Sequence, residues 1–221
     1  SWQQIPSPIV SDLLCQNALD GVVLDTEHGC FSNETIYHCI QLITAYKKKC
    51  FVRLTEVNKS LIRWCLDAGA TGLIFSTVET VKHASEIHNL CKYPMYGGAR
   101  GLGLVRQNKW GREKLIGSPP VIIAQIETKM GVQNIQQISS FDFDYYMIGP
   151  YDLSASFGVA GEFDNVEYLN AVEKIKSFIP DDKMAVHIPT DVKNQIKKYK
   201  NYGILALGMD TTILLTGYEK L

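Results

Sequence analysis

Short apolar runs alternate with amphipathic stretches along the whole chain. The runs are continuous rather than apolar at every second residue, which is typical of strands in a parallel sheet that is buried on both faces. Stretches with a helical period follow the runs, so the pattern predicts repeated strand–helix units. Seven strands are predicted in this way, over residues 21–25, 50–54, 72–76, 121–127, 145–149, 184–188 and 205–209.

The stretches between these runs predict helices, near residues 9–18, 33–49, 59–68, 79–92, 129–139, 166–179 and 191–201. Residues 1–3 are predicted to be the end of an eighth strand, of which the first part is incomplete. Strand–helix units in this number fit a (β/α)8 TIM barrel better than an open doubly wound sheet. No linker, low-complexity tract or change of composition divides the chain, so residues 1–221 are predicted to form a single α/β barrel domain.

Composition and charge limit the partners and the cellular setting that we expect, and they leave the predicted fold unchanged. The net charge is −1, whereas a protein that binds nucleic acid through its phosphates needs a basic surface. No apolar run approaches the length of a membrane span. The six cysteines form no C-x-x-C pair and most lie in apolar runs, where a thiol acts as a small hydrophobe. We therefore expect a cytoplasmic protein with no nucleic-acid or membrane partner.

Ionisable residues gather at one end of the predicted strands. In barrel enzymes the chemistry lies at the carboxyl ends of the strands, and the amino ends serve stability. Charges placed at random would decorate both ends equally, so the asymmetry predicts a site. The residues at these carboxyl ends are Asp25, Glu27, His28, Arg53, Glu127, Asp152, His187 and Asp210.

Glu127 and Asp152 follow neighbouring predicted strands, so we expect their carboxylates to converge. Converging carboxylates repel each other unless a proton or a cation lies between them. Two hard oxygen ligands with open positions beside them suit Mg²⁺ or Mn²⁺, which retain waters and substrate oxygens. The alternative is that both residues are helix N-caps, because each precedes a helical stretch.

Asp25 and Glu27 are two residues apart and therefore share one face of their strand. His28 follows the strand and can lean over its end. A carboxylate that pairs with an imidazole fixes its tautomer and raises its basicity, as a general base requires. The alternative is a His–Asp pair with a purely structural role.

Arg53 follows three apolar residues, and a buried guanidinium needs a carboxylate partner. That partner is either a keto-acid substrate or the protein itself, through Asp25 or Glu127. Residues 149–152 add main-chain N–H donors at the start of a helix, where an anion binds well. The glycine-rich stretch 97–103, within the long irregular segment 93–120, is predicted to be a substrate loop.

Several of these stretches together resemble the class II pyruvate aldolases of the HpcH/HpaI aldolase family, which also includes the citrate lyase β-type enzymes. The matching stretches run the whole length of the chain in the order of the family. They are residues 1–4, 25–29, 52–53, 67–70, 98–103, 110–111, 125–128, 149–154 and 208–212.

The resemblance implies a metal-dependent aldolase that cleaves or forms a 4-hydroxy-2-keto acid, giving pyruvate and an aldehyde through a pyruvate enolate. It implies Mg²⁺ or Mn²⁺ as the cofactor, with Co²⁺ or Zn²⁺ as further options, and a trimeric or hexameric homo-oligomer. It also assigns roles to individual residues: Glu127 and Asp152 as metal ligands, Arg53 as the group that holds the keto acid and its enolate oxygen, His28 with Asp25 as the base, Glu27 as an acid in the outer shell of the site, and Gly149, Pro150, Tyr151 and Asp152 as the cradle of the pyruvate carboxylate.

Two other functions compete with this one. A citryl-CoA or malyl-CoA lyase would need a basic cluster for the phosphates of coenzyme A, and the sequence contains none. An idle relative that serves as a binding or assembly subunit would be expected to lack a metal ligand or the base. All five central residues are present: Asp25, His28, Arg53, Glu127 and Asp152.

Overall fold

The computed structural model describes residues 1–113, 118–219 and 221. Its eight parallel strands form one sheet in which each strand pairs with the next along the chain. Trp2 also forms a parallel bridge with Met209, and its N–H donates to the Gly208 carbonyl at 3.2 Å. The first strand therefore meets the last, and the predicted barrel is confirmed.

The bounds of the strands lie close to the predicted ones. The strands are β1 (Trp2–Gln3), β2 (Gly21–Asp25), β3 (Lys49–Leu54), β4 (Gly72–Phe75), β5 (Val121–Ile126), β6 (Tyr145–Ile148), β7 (Met184–Ile188) and β8 (Ile204–Leu207).

The helices are α1 (Pro8–Cys15), α2 (Asn33–Ala45), α3 (Lys59–Ala68), α4 (Val81–Cys91), α5 (Lys129–Gln133), α6 (Ile135–Ile138), α7 (Pro150–Ser156), α8 (Val166–Lys176), α9 (Val192–Lys198) and α10 (Asp210–Tyr218), with short 3₁₀ helices at Pro94–Tyr96, Arg106–Gly111 and Asp181–Lys183. No helix in the described ranges is both long and apolar enough to cross a membrane.

The helix predictions needed three corrections. The helix predicted to reach residue 49 ends at Ala45, because Lys47 takes a left-handed conformation with φ of 60°. The helix predicted over 129–139 is divided at Asn134 into α5 and α6. The helix α10 was not predicted, and it begins three residues after the end of β8; for α7 only the start of a helix at residues 149–152 was predicted, without an end.

The barrel interior is filled by one apolar side chain from each strand: Trp2, Val23, Phe51, Ile74, Ile123, Met147, Ala185 and Ala206. Side chains two residues apart on a strand point to the same face. The next interior positions, two residues further along β2, β3, β5 and β7 toward the carboxyl ends of these strands, carry polar side chains: Asp25, Arg53, Gln125 and His187. The apolar layer forms the floor on which these polar residues lie.

The described residues 93–113 follow the end of α4, and residues 118–120 precede β5, so both stretches lie at the amino end of the barrel. Arg100 in the first stretch donates to Asp67 at 2.6 Å, and Asp67 lies in the last turn of α3. Residues 97–103 therefore lie away from the carboxyl ends of the chain's own strands, and their role as a substrate loop stays a prediction. A connection that follows a helix returns the chain to the amino end of the sheet, whatever its composition.

Candidate active site

Asp25 and Arg53 lie directly opposite each other on β2 and β3. Two guanidinium nitrogens donate to the two carboxylate oxygens, Nε to Oδ1 at 2.9 Å and Nη2 to Oδ2 at 2.7 Å. Burial by itself would raise the pKa of Asp25, but the hydrogen bonds and the charge of Arg53 outweigh it. With further hydrogen bonds from Trp2 and Gln4, the pKa of Asp25 falls to about 2.

Asp25 contacts His28 through the main chain. Its Oδ1 accepts the backbone N–H groups of Glu27 and His28, at 3.1 and 3.3 Å. Its Oδ2 accepts the side chains of Trp2 and Gln4, both at 3.1 Å. The exposed ring of His28 makes no hydrogen bond to any described residue, so the predicted pairing of this imidazole with Asp25 is absent from the structure.

Arg53 lies between two acids and against an indole. Its Nη1 is 2.7 Å from Glu27 Oε2, and its guanidinium carbon lies 4.9 Å from the centre of the Trp2 ring. Trp2 in turn stacks on His187, with ring centres 4.6 Å apart. Arg53 therefore has protein partners, Asp25 among them as the sequence allowed, whereas Glu127 is not one of them.

Glu127 follows β5 and has both oxygens engaged. Its Oε1 accepts the N–H of Thr77 at 2.7 Å and the hydroxyl of Thr77 at 2.8 Å. Its Oε2 accepts the side-chain amide of Gln125. Burial is the largest cause that raises the pKa of Glu127; the Thr77 hydrogen bond opposes it, and the charges of Glu27 and Asp152 add to it.

Asp152 lies in the first turn of α7 and is exposed. Its carboxylate makes no hydrogen bond or ion pair with any described residue. Neither acid caps a helix, because the N-cap of α5 is Thr128, whose hydroxyl accepts from Gly131, and the N-cap of α7 is Gly149. The capping alternative for Glu127 and Asp152 is therefore wrong.

Gly149 packs against the Glu127 carboxylate. A Cβ at position 149 would lie 2.3 Å from Glu127 Oε2 and 2.8 Å from Gln125 Nε2, closer than real carbon atoms approach such groups. The φ of Gly149 is −91°, which any residue can adopt. The close approach, rather than the backbone conformation, therefore requires glycine here.

Gln125 is a site residue that the sequence reasoning did not single out. It is 4% exposed, and its Oε1 is buried without a hydrogen-bond partner among the described residues. An unpartnered buried oxygen is costly, which indicates that a donor arrives with a ligand. The signal was present in the sequence, because Gln125 precedes Glu127 by two residues and shares its face.

His187 and Asp210 stand beside the site with different surroundings. Burial lowers the pKa of His187 to about 4, with the nearby charge of Arg53 as a lesser contribution. Asp210 accepts the backbone N–H groups of Gln4 and Ile5, both at 2.9 Å. Asp210 therefore ties the residues after β1 to the start of α10 and closes the barrel.

The charges at this end of the barrel are unbalanced. Among the described residues named above, four carboxylates, those of Asp25, Glu27, Glu127 and Asp152, lie at this end with the one guanidinium of Arg53, which contacts the first two. No group of three or more His, Cys, Asp or Glu side chains is arranged to hold a metal in the described part of the chain. Mg²⁺ and Mn²⁺ need only one or two carboxylates, because waters and substrate oxygens complete their octahedra. Glu127 and Asp152 have the ligand chemistry that such an ion takes.

Comparison with known proteins identifies the family. Residues 2–216 match the HpcH/HpaI aldolase/citrate lyase family. The chain belongs to this family. The 2-keto-3-deoxy-L-rhamnonate aldolase of Klebsiella pneumoniae subsp. pneumoniae is 28% identical over 228 residues, which cover 99% of this chain and 85% of that protein. The family resemblance predicted from the sequence is confirmed, and the protein is an enzyme of the aldolase and lyase class.

Solved structures of related proteins share the fold. A family protein from Burkholderia cenocepacia J2315 superimposes with a TM-score of 0.89 at 23% identity, over 99% of this chain and 90% of that one. The citrate synthase SbnG superimposes with a TM-score of 0.86 at 25% identity, over 99% of this chain and 89% of that one. Class II enzymes of the family generally depend on a metal ion.

Proposed function

We propose that the protein is a metal-dependent aldolase that cleaves or forms a 4-hydroxy-2-keto acid, with pyruvate and an aldehyde as the other reactant pair. The observation that carries this proposal is the grouping of Arg53 with Glu127 and Asp152 at one end of the barrel. This end offers a cation for a keto acid beside two acids that favour a metal ion. Mg²⁺ or Mn²⁺ fits the carboxylate ligands best, and Co²⁺ and Zn²⁺ are further options.

Arg53 would bind the keto acid. A guanidinium has five N–H donors, and two of those of Arg53 bond to Asp25. The contact of Nη1 with Glu27 is an ion pair in which Glu27 Oε2 accepts no hydrogen bond from a described residue. About three N–H donors therefore remain for a substrate oxygen. Asp25 and Glu27 hold the guanidinium in place, so it stabilises negative charge on the keto oxygen without reorganising. When bound, a divalent cation stabilises the same charge as a Lewis acid.

His28 would act as the base at the open mouth of the barrel. In the cleavage direction, His28 takes the proton of the C4 hydroxyl while the C3–C4 bond breaks. The electron pair of that bond passes into the enolate of pyruvate, and the C4 fragment leaves as the aldehyde. The enolate then takes a proton at C3 and becomes pyruvate. Asp25 supports His28 by accepting its backbone N–H, at 3.3 Å.

The start of α7 would hold the pyruvate carboxylate. Gly149 and Pro150 bring the chain past Glu127, and Pro150 occupies the first turn, where its missing N–H costs nothing. The backbone N–H groups of Tyr151 and Asp152 are then left to bind an anion. The relative from Klebsiella pneumoniae is named for a 2-keto-3-deoxy sugar acid, so we take acids of this class as the first substrates to test.

Proton exchange tests the pyruvate half of the reaction. The protein with Mg²⁺ or Mn²⁺ should exchange the methyl protons of pyruvate in D₂O, followed by NMR, because exchange requires only the enolate. Glu127→Ala should abolish Mn²⁺ binding in calorimetry and the exchange with it. Exchange no faster than in a metal-free control would overturn the aldolase proposal and favour an idle binding subunit.

We also infer a homo-oligomer, of three or six copies as in the family resemblance. The helix α10 leaves four large apolar side chains at least half exposed: Ile213, Leu214, Leu215 and Tyr218. Burial of such side chains favours association. Light scattering on the purified protein tests this, and a monomer at micromolar concentration would refute it. Six free thiols, five of them buried, support a reducing cytoplasmic setting.

A further inference from the structure

Thr77 has an unusual backbone conformation beside the candidate metal ligand. It follows β4, and its φ is 55°, in the left-handed region. A β-branched residue rarely adopts this region, because its Cβ crowds the backbone. Such an outlier is strained and persists only where the surrounding structure holds it. The surroundings here are Glu127, which Thr77 meets with two donors.

Both donors of Thr77 go to the same oxygen. The backbone N–H lies 2.7 Å from Glu127 Oε1, and the hydroxyl lies 2.8 Å from it. A carboxylate oxygen has about two lone-pair positions, so Thr77 fills those of Oε1. The other oxygen, Oε2, accepts only the amide of Gln125. One lone pair therefore remains on this carboxylate, and it belongs to Oε2.

The carboxylate has little freedom to rearrange. Glu127 is 3% exposed, so water does not compete for its oxygens. Thr77 holds Oε1 from the strand on one side, and Gly149 approaches Oε2 from the strand on the other side. A Cβ at Gly149 would lie 2.3 Å from Oε2. Two neighbouring strands thus determine which oxygen each partner meets.

We propose that Thr77 is a positioning residue that restricts Glu127 to binding a metal ion through Oε2 alone, and that it thereby favours Mg²⁺ and Mn²⁺ over Ca²⁺. The inference rests on the proposed function, in which Glu127 is a metal ligand. Ca²⁺ accepts both oxygens of one carboxylate in a flexible shell of six to eight ligands, whereas Mg²⁺ demands an octahedron. A carboxylate that offers one oxygen suits the octahedron.

Two substitutions remove the hydroxyl and keep the backbone N–H. Thr77→Val retains the shape of the side chain, and Thr77→Gly also relieves the left-handed strain, so the second variant folds even if the first does not. Thr77→Ser keeps the hydroxyl and is the matched control. Calorimetry with MnCl₂, MgCl₂ and CaCl₂ on each metal-free protein gives the affinities directly, without any measurement of activity.

We expect Thr77→Val and Thr77→Gly to bind Mn²⁺ about tenfold more weakly, as is common when a residue that orients a metal ligand is lost. Their preference for Mn²⁺ over Ca²⁺ should fall by a similar factor, and Thr77→Ser should match the wild type. A merely structural role for Thr77 would weaken all three ions alike.

If wild-type protein binds Mn²⁺, Glu127→Ala does not, and the Thr77 variants bind all three ions as the wild type does, the role of Thr77 is refuted while the proposed function stands. If the wild type itself binds neither Mn²⁺ nor Mg²⁺, the proposed function fails, and the inference about Thr77 fails with it. A uniform loss of all three ions in both variants also overturns the selectivity.

Discussion

The guanidinium of Arg53 forms two parallel hydrogen bonds with the carboxylate of Asp25, its direct neighbour across β2 and β3. Both side chains are almost fully buried. The pair has two functions in the proposed enzyme. It neutralises charge inside the barrel, and it aims the remaining N–H donors of Arg53 at the strand ends.

Replacing Asp25 should destabilise the fold. Asp25→Asn removes the charge that balances Arg53 in the interior, and breaking one side of a buried ion pair costs about 3–5 kcal/mol. We expect the lower part of this range, because Glu27 still contacts Arg53. Urea denaturation followed by circular dichroism measures the change. Glu86→Gln, on the exposed face of α4, is the control and should change stability by less than about 0.5 kcal/mol.

Adding one methyl group at Gly149 should disable the site. The new Cβ of Gly149→Ala would lie 2.3 Å from Glu127 Oε2, so the carboxylate must turn away. We expect at least a tenfold weaker Mn²⁺ affinity in calorimetry, as for the loss of an orienting contact. Gly101→Ala is the matched control, because nothing lies within 4 Å of a Cβ there. Equal Mn²⁺ affinities for the two variants would contradict the geometry.

Removing the imidazole of His28 should slow the cleavage reaction without weakening metal binding. His28→Ala should retain the Mn²⁺ affinity of the wild type, because this side chain contacts none of the candidate ligands. Its cleavage of a 4-hydroxy-2-keto acid should slow by about 10²–10⁴-fold, the usual contribution of a positioned base. A coupled pyruvate assay measures the rate. His38→Ala, on the exposed face of α2, should behave as the wild type, and a full rate for His28→Ala would rule out its role as the base.

Stability should fall as the solution becomes moderately acidic. Burial lowers the pKa of His187 from 6.5 to about 4, so the unfolded chain binds a proton between these values while the folded chain does not. The contribution of His187 to stability is therefore fully present above pH 6.5 and is lost as the pH falls toward 4. The loss from this group between pH 7 and pH 5 is at most about 2 kcal/mol.

His187→Phe tests this pH dependence, because phenylalanine keeps a ring against Trp2 and does not titrate. The difference in free energy of unfolding between pH 7 and pH 5, from urea denaturation, should be smaller in the variant than in the wild type. Burial also lowers the pKa of His88, which contributes in the same direction to both proteins and cancels in the comparison. An identical pH dependence for the two proteins would show that His187 is not the cause.

The sequence by itself determined the barrel fold and the end of the barrel at which the ionisable residues gather. The predicted strands 21–25 and 184–188 match β2 and β7 residue for residue. A strand of the barrel can be recognised from its own residues. Helices on one side and the barrel interior on the other exclude water from every residue, so the strand is a continuous apolar run. The period of two along a strand likewise predicted one shared face for Asp25 and Glu27. The family motifs at residues 25–29, 125–128, 149–154 and 208–212 lie at the same strand ends.

Only the tertiary structure decided which of these residues meet. Thr77 and Glu127 are 50 positions apart, and their contact depends on the register between β4 and β5. The contacts of Asp210 with the backbone N–H groups of Gln4 and Ile5 depend on the closure of the barrel. Local patterns predict which face a side chain takes, because that is set by its own strand. Partner, distance and hydrogen-bond direction are set by neighbouring strands, so they follow only once the barrel has closed.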